Sequence, residues 1–143
     1  MLVGQILAAK GSKVVSTRPD ATIAEVAKLL RRERIGALVV VEAGALCGII
    51  SERDLARGLA DHGSELLEMK VGQLMTREVV TCVPEDHLDH LMRSMTEGRF
   101  RHLPVLQDGE MIGIISIGDV VKHRVDELET ETHQLQGYIA GSA

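Results

Sequence analysis

The chain has 143 residues, a formal net charge of −5 and an apolar content that is almost wholly aliphatic, with one Tyr, one Phe and no Trp. Such a chain has neither the aromatic platforms on which many RNA and single-strand binders stack bases nor a global basic field to attract phosphate backbones, so nucleic acid is not an expected partner. The length suits one ordinary domain, or two half-size units that share a core.

The first residues, MLVGQILAAKGSKVV, lack the basic start and longer apolar run of a signal peptide. No apolar run approaches the ~20 residues of a membrane helix. The sequence therefore reads as cytoplasmic, with no membrane partner. Val14-Val15-Ser16 is a short β run stopped by Pro19-Asp20. TIAEVAKLLRRER follows with apolar residues at 23, 26, 27, 29 and 30, the spacing of a helix, and Thr22 with Glu25 forms a capping-box pattern at its start. ALVVVEAGALCGII is two apolar runs broken at Glu42-Ala43-Gly44, a hairpin. SERDLARGLADHG is a second helix, from Ser51 to about Gly63. Cys47 and Cys82 stand apart without metal or redox spacing, and read as small buried hydrophobes in a reducing compartment.

The order then repeats. Shifting Gly48 onto Gly113, 65 positions on, carries Val14-Val15 onto Val79-Val80, Pro19 onto Pro84, Arg34 onto Arg99, Gly44 onto Gly109, GIIS onto GIIS and Asp54 onto Asp119. The lead-ins echo as well, VGQIL at 3–7 and VGQLM at 71–75. The second copy reads as VVT, a helix over 86–97, a hairpin turning at Asp108-Gly109, and a helix from Ser116. The expected fold is α/β (α+β): two β-α-β-β-α repeats, residues 1–66 and 67–124, related by a pseudo-twofold, with two facing three-stranded sheets and helices outside. A C-terminal amphipathic helix over 125–143 completes it. Its stripe of Val121, Val125, Leu128, Thr132, Leu135 and Ile139 has heptad-like spacing, which fits either docking on its own domain or pairing with a second copy.

The doubled GIISERD and GIISIGD have two readings from local pattern. In one, Ser51 and Ser116 cap the helices and Asp54 and Asp119 return to the cap amides, so the motif is only a helix start. In the other, a carboxylate beside open helix-end amides takes the vicinal hydroxyls of a ribose. His87 and His90 lie three apart on a helix without an evident third ligand, and read as exposed rather than metal-binding. No phosphate-loop or nucleophile-elbow motif is present.

GIISERD and GIISIGD, with PDATIAEVAKLL before the first and GRFRHLPV before the second, resemble tandem cystathionine-β-synthase (CBS) domains, above all small stand-alone bacterial CBS pairs. The resemblance covers about residues 1–125. It implies a Bateman module that binds an adenosine-containing ligand (AMP, ATP, NAD(H) or S-adenosylmethionine) in clefts between the repeats, without a catalytic cofactor or an enzymatic reaction. It places ribose at Asp54 and Asp119, ribose or phosphate near Ser51 and Ser116, and adenine at Ser16-Thr17 and Thr81-Cys82. The pocket walls fall on Ile35, Gly36 and Ala37, and on Phe100, Arg101, His102 and Pro104. Arg99, Arg101 and His102 are candidate phosphate cations, with Arg53 and Lys13 as helpers, and Gly118 leaves the second helix start more open than Arg53 leaves the first. The resemblance also implies a homodimer that signals to a separate downstream protein. A constitutive dimeric scaffold with vestigial sites is the alternative, and a small-ligand enzyme such as a nucleotide hydrolase a third reading.

Overall fold

The computed structural model describes the backbone of residues 1–142 and the side chains through Ile139. In chain order the elements are α1 (Val3–Lys10), β1 (Ser16–Thr17), α2 (Ile23–Glu33), β2 (Ala37–Glu42), β3 (Ala45–Ser51), α3 (Glu52–His62), a 3₁₀ helix (Gly63–Glu68), α4 (Val71–Leu74), α5 (Leu88–Gly98), β4 (His102–Gln107), β5 (Glu110–Ser116) and α6 (Ile117–Ser142). Two compact units result. One is Lys13–Val80; the other joins Met1–Ser12 to the chain from Thr81 onward.

In the first of these, β1 pairs parallel with β2, and β2 antiparallel with β3. The hairpin turns through Ala43 and Gly44, both at positive φ (51° and 78°). That is the two-residue turn whose twist matches paired strands. Asp108 and Gly109 turn the second hairpin in the same way (53° and 80°). The second unit has only β4 and β5 in its sheet. The third strand expected there, at VVT, shrinks to a single parallel bridge between Cys82 and Val105. A two-residue strand in one unit becomes a one-residue contact in the other, because a strand this short sits at the limit of ladder formation.

Thr22 accepts from the Glu25 amide and Glu25 accepts from the Thr22 amide, as the capping-box pattern requires. Ile23, Val26 and Leu30 form the inward face of α2 and meet Leu38, Val40 and Ile50 of the hairpin. In the other unit Leu88, Leu91 and Met95 of α5 meet Leu103, Val105 and Ile115. Helix α5 begins at Leu88, two residues later than its pattern suggests; Asp86 caps the preceding loop by accepting from the Val83 amide.

Each sequence repeat contributes to both units, and the lead-ins are the reason. Val3, Ile6 and Leu7 of α1 belong to the core built by residues after Thr81. Val71 and Met75 belong to the core of residues 13–80. Equivalent backbone bonds tie them down. The Val3 amide donates to Asp86, Gly4 to Pro84, and Leu88 to Met1; Val71 donates to Ala21, Gly72 to Pro19, and Ile23 to Met69. The glutamines of the doubled VGQ also match: Gln5 accepts from the Leu2 amide and Gln73 from the Lys70 amide.

The lead-ins explain the glycine of GIIS. A Cβ at Gly113 would stand 2.6 Å from Leu7 Cδ2, and one at Gly48 would stand 2.6 Å from Met75 Sδ and 3.0 Å from the Thr76 carbonyl. The hairpin must be bare there for the lead-in to lie against it.

Helix α6 docks on its unit with an unexpected face. Val120 is buried, and His123, Arg124 and Glu127 are half-buried. Arg124 donates to Glu127 at 3.0 Å, and the Met1 ammonium pairs with Glu127 at 2.9 Å. The heptad-like stripe lies off this face. Val121, Val125 and Leu128 are about half exposed (50, 45 and 46%), and Leu135 and Ile139 more so. Of the two alternatives for this stripe, docking on its own domain is not what the helix does: it packs through Val120 and a polar flank.

Gly48→Ala is expected to lower stability by about 1–3 kcal/mol, as overpacking does. Gly113→Ala should cost less, since Leu7 offers only a side-chain end that can rotate away, whereas Gly48 also faces the Thr76 carbonyl. Urea denaturation of the two variants beside the parent chain checks the order.

Candidate functional site

Two strand-to-helix turns hold the candidate residues. Strand β3 ends at Ser51, whose hydroxyl accepts from the Asp54 amide at 3.4 Å. Asp54 Oδ2 accepts from the Ser51 amide at 2.8 Å and from the Ser51 hydroxyl at 3.1 Å. Ser116 and Asp119 repeat this at the start of α6, with 3.1 Å to the Asp119 amide and 2.9 Å for both bonds to Oδ2. The capping geometry is thus complete in both copies. These capping bonds fall on Oδ2, and a carboxylate has two oxygens with about four acceptor positions. The cap orients each acid without exhausting it.

The residues that enter the second strand of each hairpin lie against these turns. The Glu52 amide donates to the Gly36 carbonyl at 3.0 Å, and the Ile117 amide donates to the Arg101 carbonyl at 2.8 Å. Ala37 pairs with Ser51, and His102 with Ser116, across the strands. The structure therefore gathers Gly36, Ala37, Ser51, Arg53 and Asp54 at one turn. It gathers Arg101, His102, Ser116, Gly118 and Asp119 at the other. Arg53, Arg101 and Gly118 are exposed.

Other predicted residues fall elsewhere. Ser16 and Thr17 line an open groove with Arg18 to Ala21, Glu25 and the Val41–Gly44 turn, at the end of the hairpin away from Ser51. Thr81 is exposed, whereas Cys82 is 6% exposed and packs in the core. Burial, with Asp86 nearby, pushes the Cys82 thiol up to about 12, the behaviour of a small hydrophobe rather than a reactive thiol. Pro104 is buried, and its carbonyl accepts from the Cys82 amide at 3.0 Å. Ile35 and Phe100 pack against the two cores. Arg99, like Arg34, ends its helix in the left-handed conformation (φ 56° for both), so part of its role is to turn the chain. Lys13 is held on the surface by Glu33 at 3.0 Å.

Lys10 was not foreseen. It stands at the end of α1 and donates to Asp119 Oδ2 and, at 2.7 Å, to the Ile114 carbonyl. Aligning VGQILAAK with VGQLMTRE puts Glu78 at the equivalent place in the other lead-in. That single contrast in register was the available signal. Burial raises the Asp119 pKa, but Lys10 and the Ser116 donors outweigh it, so the carboxyl titrates below its ordinary value of 3.8.

The CBS domain model matches residues 3–61 and, separately, 71–126. The chain belongs to the CBS-domain family. It is 42% identical over 138 residues to the mitochondrial CBS domain-containing protein CBSX3 of Arabidopsis thaliana, covering 93% of this chain and 66% of that protein. Among solved structures, a CBS-domain containing protein of Agrobacterium tumefaciens is 46% identical with a TM-score of 0.85, over 87% of this chain and 99% of that one. The CBS domain pair of protein MJ0100, crystallised in complex with 5′-methylthioadenosine and S-adenosyl-L-methionine, is 27% identical with a TM-score of 0.79, over 89% of this chain and 98% of that one. No helix among the described residues is long and apolar enough to cross a membrane.

Folding lowers the Asp119 pKa, so the unfolded chain holds that proton more tightly than the folded one. The stability from Asp119 is then fully present above 3.8 and is lost as pH falls through the lower folded value. Asp119→Asn is expected to cost about 0.5–2 kcal/mol at pH 7, the worth of a helix cap. The gap from the parent should narrow below pH 3.8, as read by urea midpoints at several pH values.

Proposed function

We propose that this chain is a non-catalytic sensor of adenosine-containing ligands, with Asp54 and Asp119 as the acceptors of ribose hydroxyls. The observation that carries the reading is the doubled Ser-x-x-Asp turn. Each turn holds a carboxylate by its own cap at a helix start, beside the chain that enters the neighbouring strand. A vicinal diol offers two donors to such a carboxylate, and the open amides of a helix end favour a polar or anionic group nearby. The adenosyl ligands of protein MJ0100 support the same ligand class for this related chain. AMP, ATP and NAD(H) are the members of that class we favour. Arg101 and His102 at the second turn, and Arg53 at the first, are the cations we assign to phosphate. Binding stabilises whichever arrangement holds the ligand better, and that shift is the signal a downstream protein reads.

We further propose that two copies pair through the outward stripe of α6. From Leu128 to Ile139 the side chains of α6 are exposed. Leu128, Leu135 and Ile139 at intervals of seven and four form a seam that a second copy of the same helix complements.

A thermal-shift panel with AMP, ATP, NAD, NADH and S-adenosylmethionine tests the first reading. A ligand at 100 times its dissociation constant adds about 2.7 kcal/mol. The expected result is a higher melting temperature with one or more of them, lost in Asp54→Ala/Asp119→Ala. No shift with any would leave a scaffold whose Ser-x-x-Asp turns serve only as caps. Turnover of ATP or NADH that disappears in the double variant would make the protein an enzyme instead. For the seam, sedimentation of Leu128→Glu/Leu135→Glu should report monomers where the parent sediments as a dimer; an unchanged dimer places the interface elsewhere.

A further inference from the structure

The two turns share a backbone and a cap, but they do not share a charge. At the Asp119 turn, Lys10 comes from α1, and its side chain is 30% exposed beside an aspartate that is 23% exposed. The ammonium has three protons. One goes to Asp119 Oδ2 and one to the Ile114 carbonyl, which leaves a third. In the other lead-in the aligned residue is Glu78, so no lysine stands at that point of the sequence. The strand entries widen the contrast. Arg101, whose carbonyl is bonded to the start of α6, stands where the other unit has Gly36.

An ammonium within hydrogen-bonding distance of a carboxylate cancels most of its field a few ångströms away. The phosphate of a nucleotide is tied to the same sugar whose vicinal hydroxyls the carboxylate holds. An uncompensated carboxylate repels that phosphate; a compensated one does not. A neutral nucleoside, or a sulfonium such as S-adenosylmethionine, gains nothing from the compensation.

We propose that Lys10 is a specificity-determining residue that makes the Asp119 turn select phosphorylated adenosine ligands over uncharged or cationic ones. The assignment rests on the reading of both turns as ribose sites. Lys10 acts partly through Asp119 and partly through its third proton. Its position at the end of α1 makes the first twelve residues a functional part of the second turn, as well as a piece of its core.

The test is calorimetric titration of the full chain in an Asp54→Ala background, which leaves the Asp119 turn as the ribose site. AMP and adenosine are the probes. Lys10→Met keeps the aliphatic stem and removes the charge. It is expected to weaken AMP about 3–10-fold and to leave adenosine within about twofold, so that the ratio of the two affinities falls. Lys10→Arg should restore the ratio, and Lys10→Glu, which copies the other lead-in, should lower it further. A ratio unchanged in Lys10→Met and Lys10→Glu, with AMP still bound, overturns the role of Lys10 and leaves the ribose reading intact. Equal weakening of both probes, with the parent fold retained by circular dichroism, makes Lys10 a merely structural contact and also overturns it. Binding that survives Asp54→Ala/Asp119→Ala, or no binding by the parent, overturns the ribose reading and this inference with it.

Discussion

A lead-in segment lies directly on the bare backbone of a hairpin strand in each unit, and most of the molecule's organisation follows from that contact. Leu7 rests where a side chain at Gly113 would be, and Met75 rests over Gly48. Such close approach is possible only at glycine. It fixes the start of the lead-in against the loop before the unit's first helix through three backbone bonds. It also fixes how far the end of the lead-in reaches along the strand. In one unit the chain leaves helical geometry early, and Thr76 exchanges backbone bonds with Ile49 in both directions. In the other, α1 runs on to Lys10, and the side chain takes over the equivalent carbonyl, that of Ile114.

One skeleton therefore presents two chemistries. Both hairpins carry an irregularity at matching places, after Val40 and after Val105, and both end in a serine that caps the following helix. The bonds that build the turn are the same in kind and nearly the same in length. What differs is side chains that the fold does not require: Lys10 against Glu78, Arg101 against Gly36, Gly118 against Arg53. A duplicated fold constrains the positions that pack and cap, and it releases those that face solvent. Differences between the two turns are then found among the released positions.

Much of this was legible in the sequence, and for reasons specific to each element. The helix over Ile23–Glu33 announces itself because its cap, its amphipathic face and its positive end agree, and the hairpins because Ala43-Gly44 and Asp108-Gly109 sit between apolar runs. The Ser-x-x-Asp turns could be seen twice in register. The exchange of lead-ins could not, because VGQIL and VGQLM show an apolar face without naming the surface that covers it. The same holds for Lys10, whose partner lies 109 residues away. The docked face of α6 was not legible because the apolar stripe follows Val121, Val125 and Leu128, while the docked side is Val120 with Arg124 and Glu127, joined by an ion pair to the chain's own amino group. The shortened third strand of the second unit was missed for a different reason: Cys82 is held by one bridge, and propensity does not resolve a single residue.

The division of the chain into units bears on the order in which it can be made. Residues 13–80 contain every segment their core requires, so this part can close while the ribosome is still adding the rest. The first twelve residues have no such prospect. Their apolar side chains, Val3, Ile6 and Leu7, wait for Leu88, Leu103 and Ile115, and must remain uncovered until those are synthesised. Closing that long loop costs only slowly growing entropy, but it delays the second unit until its most distant piece returns. Trimming the first twelve residues would therefore damage the unit built from the later part of the chain and leave the core of residues 13–80 whole.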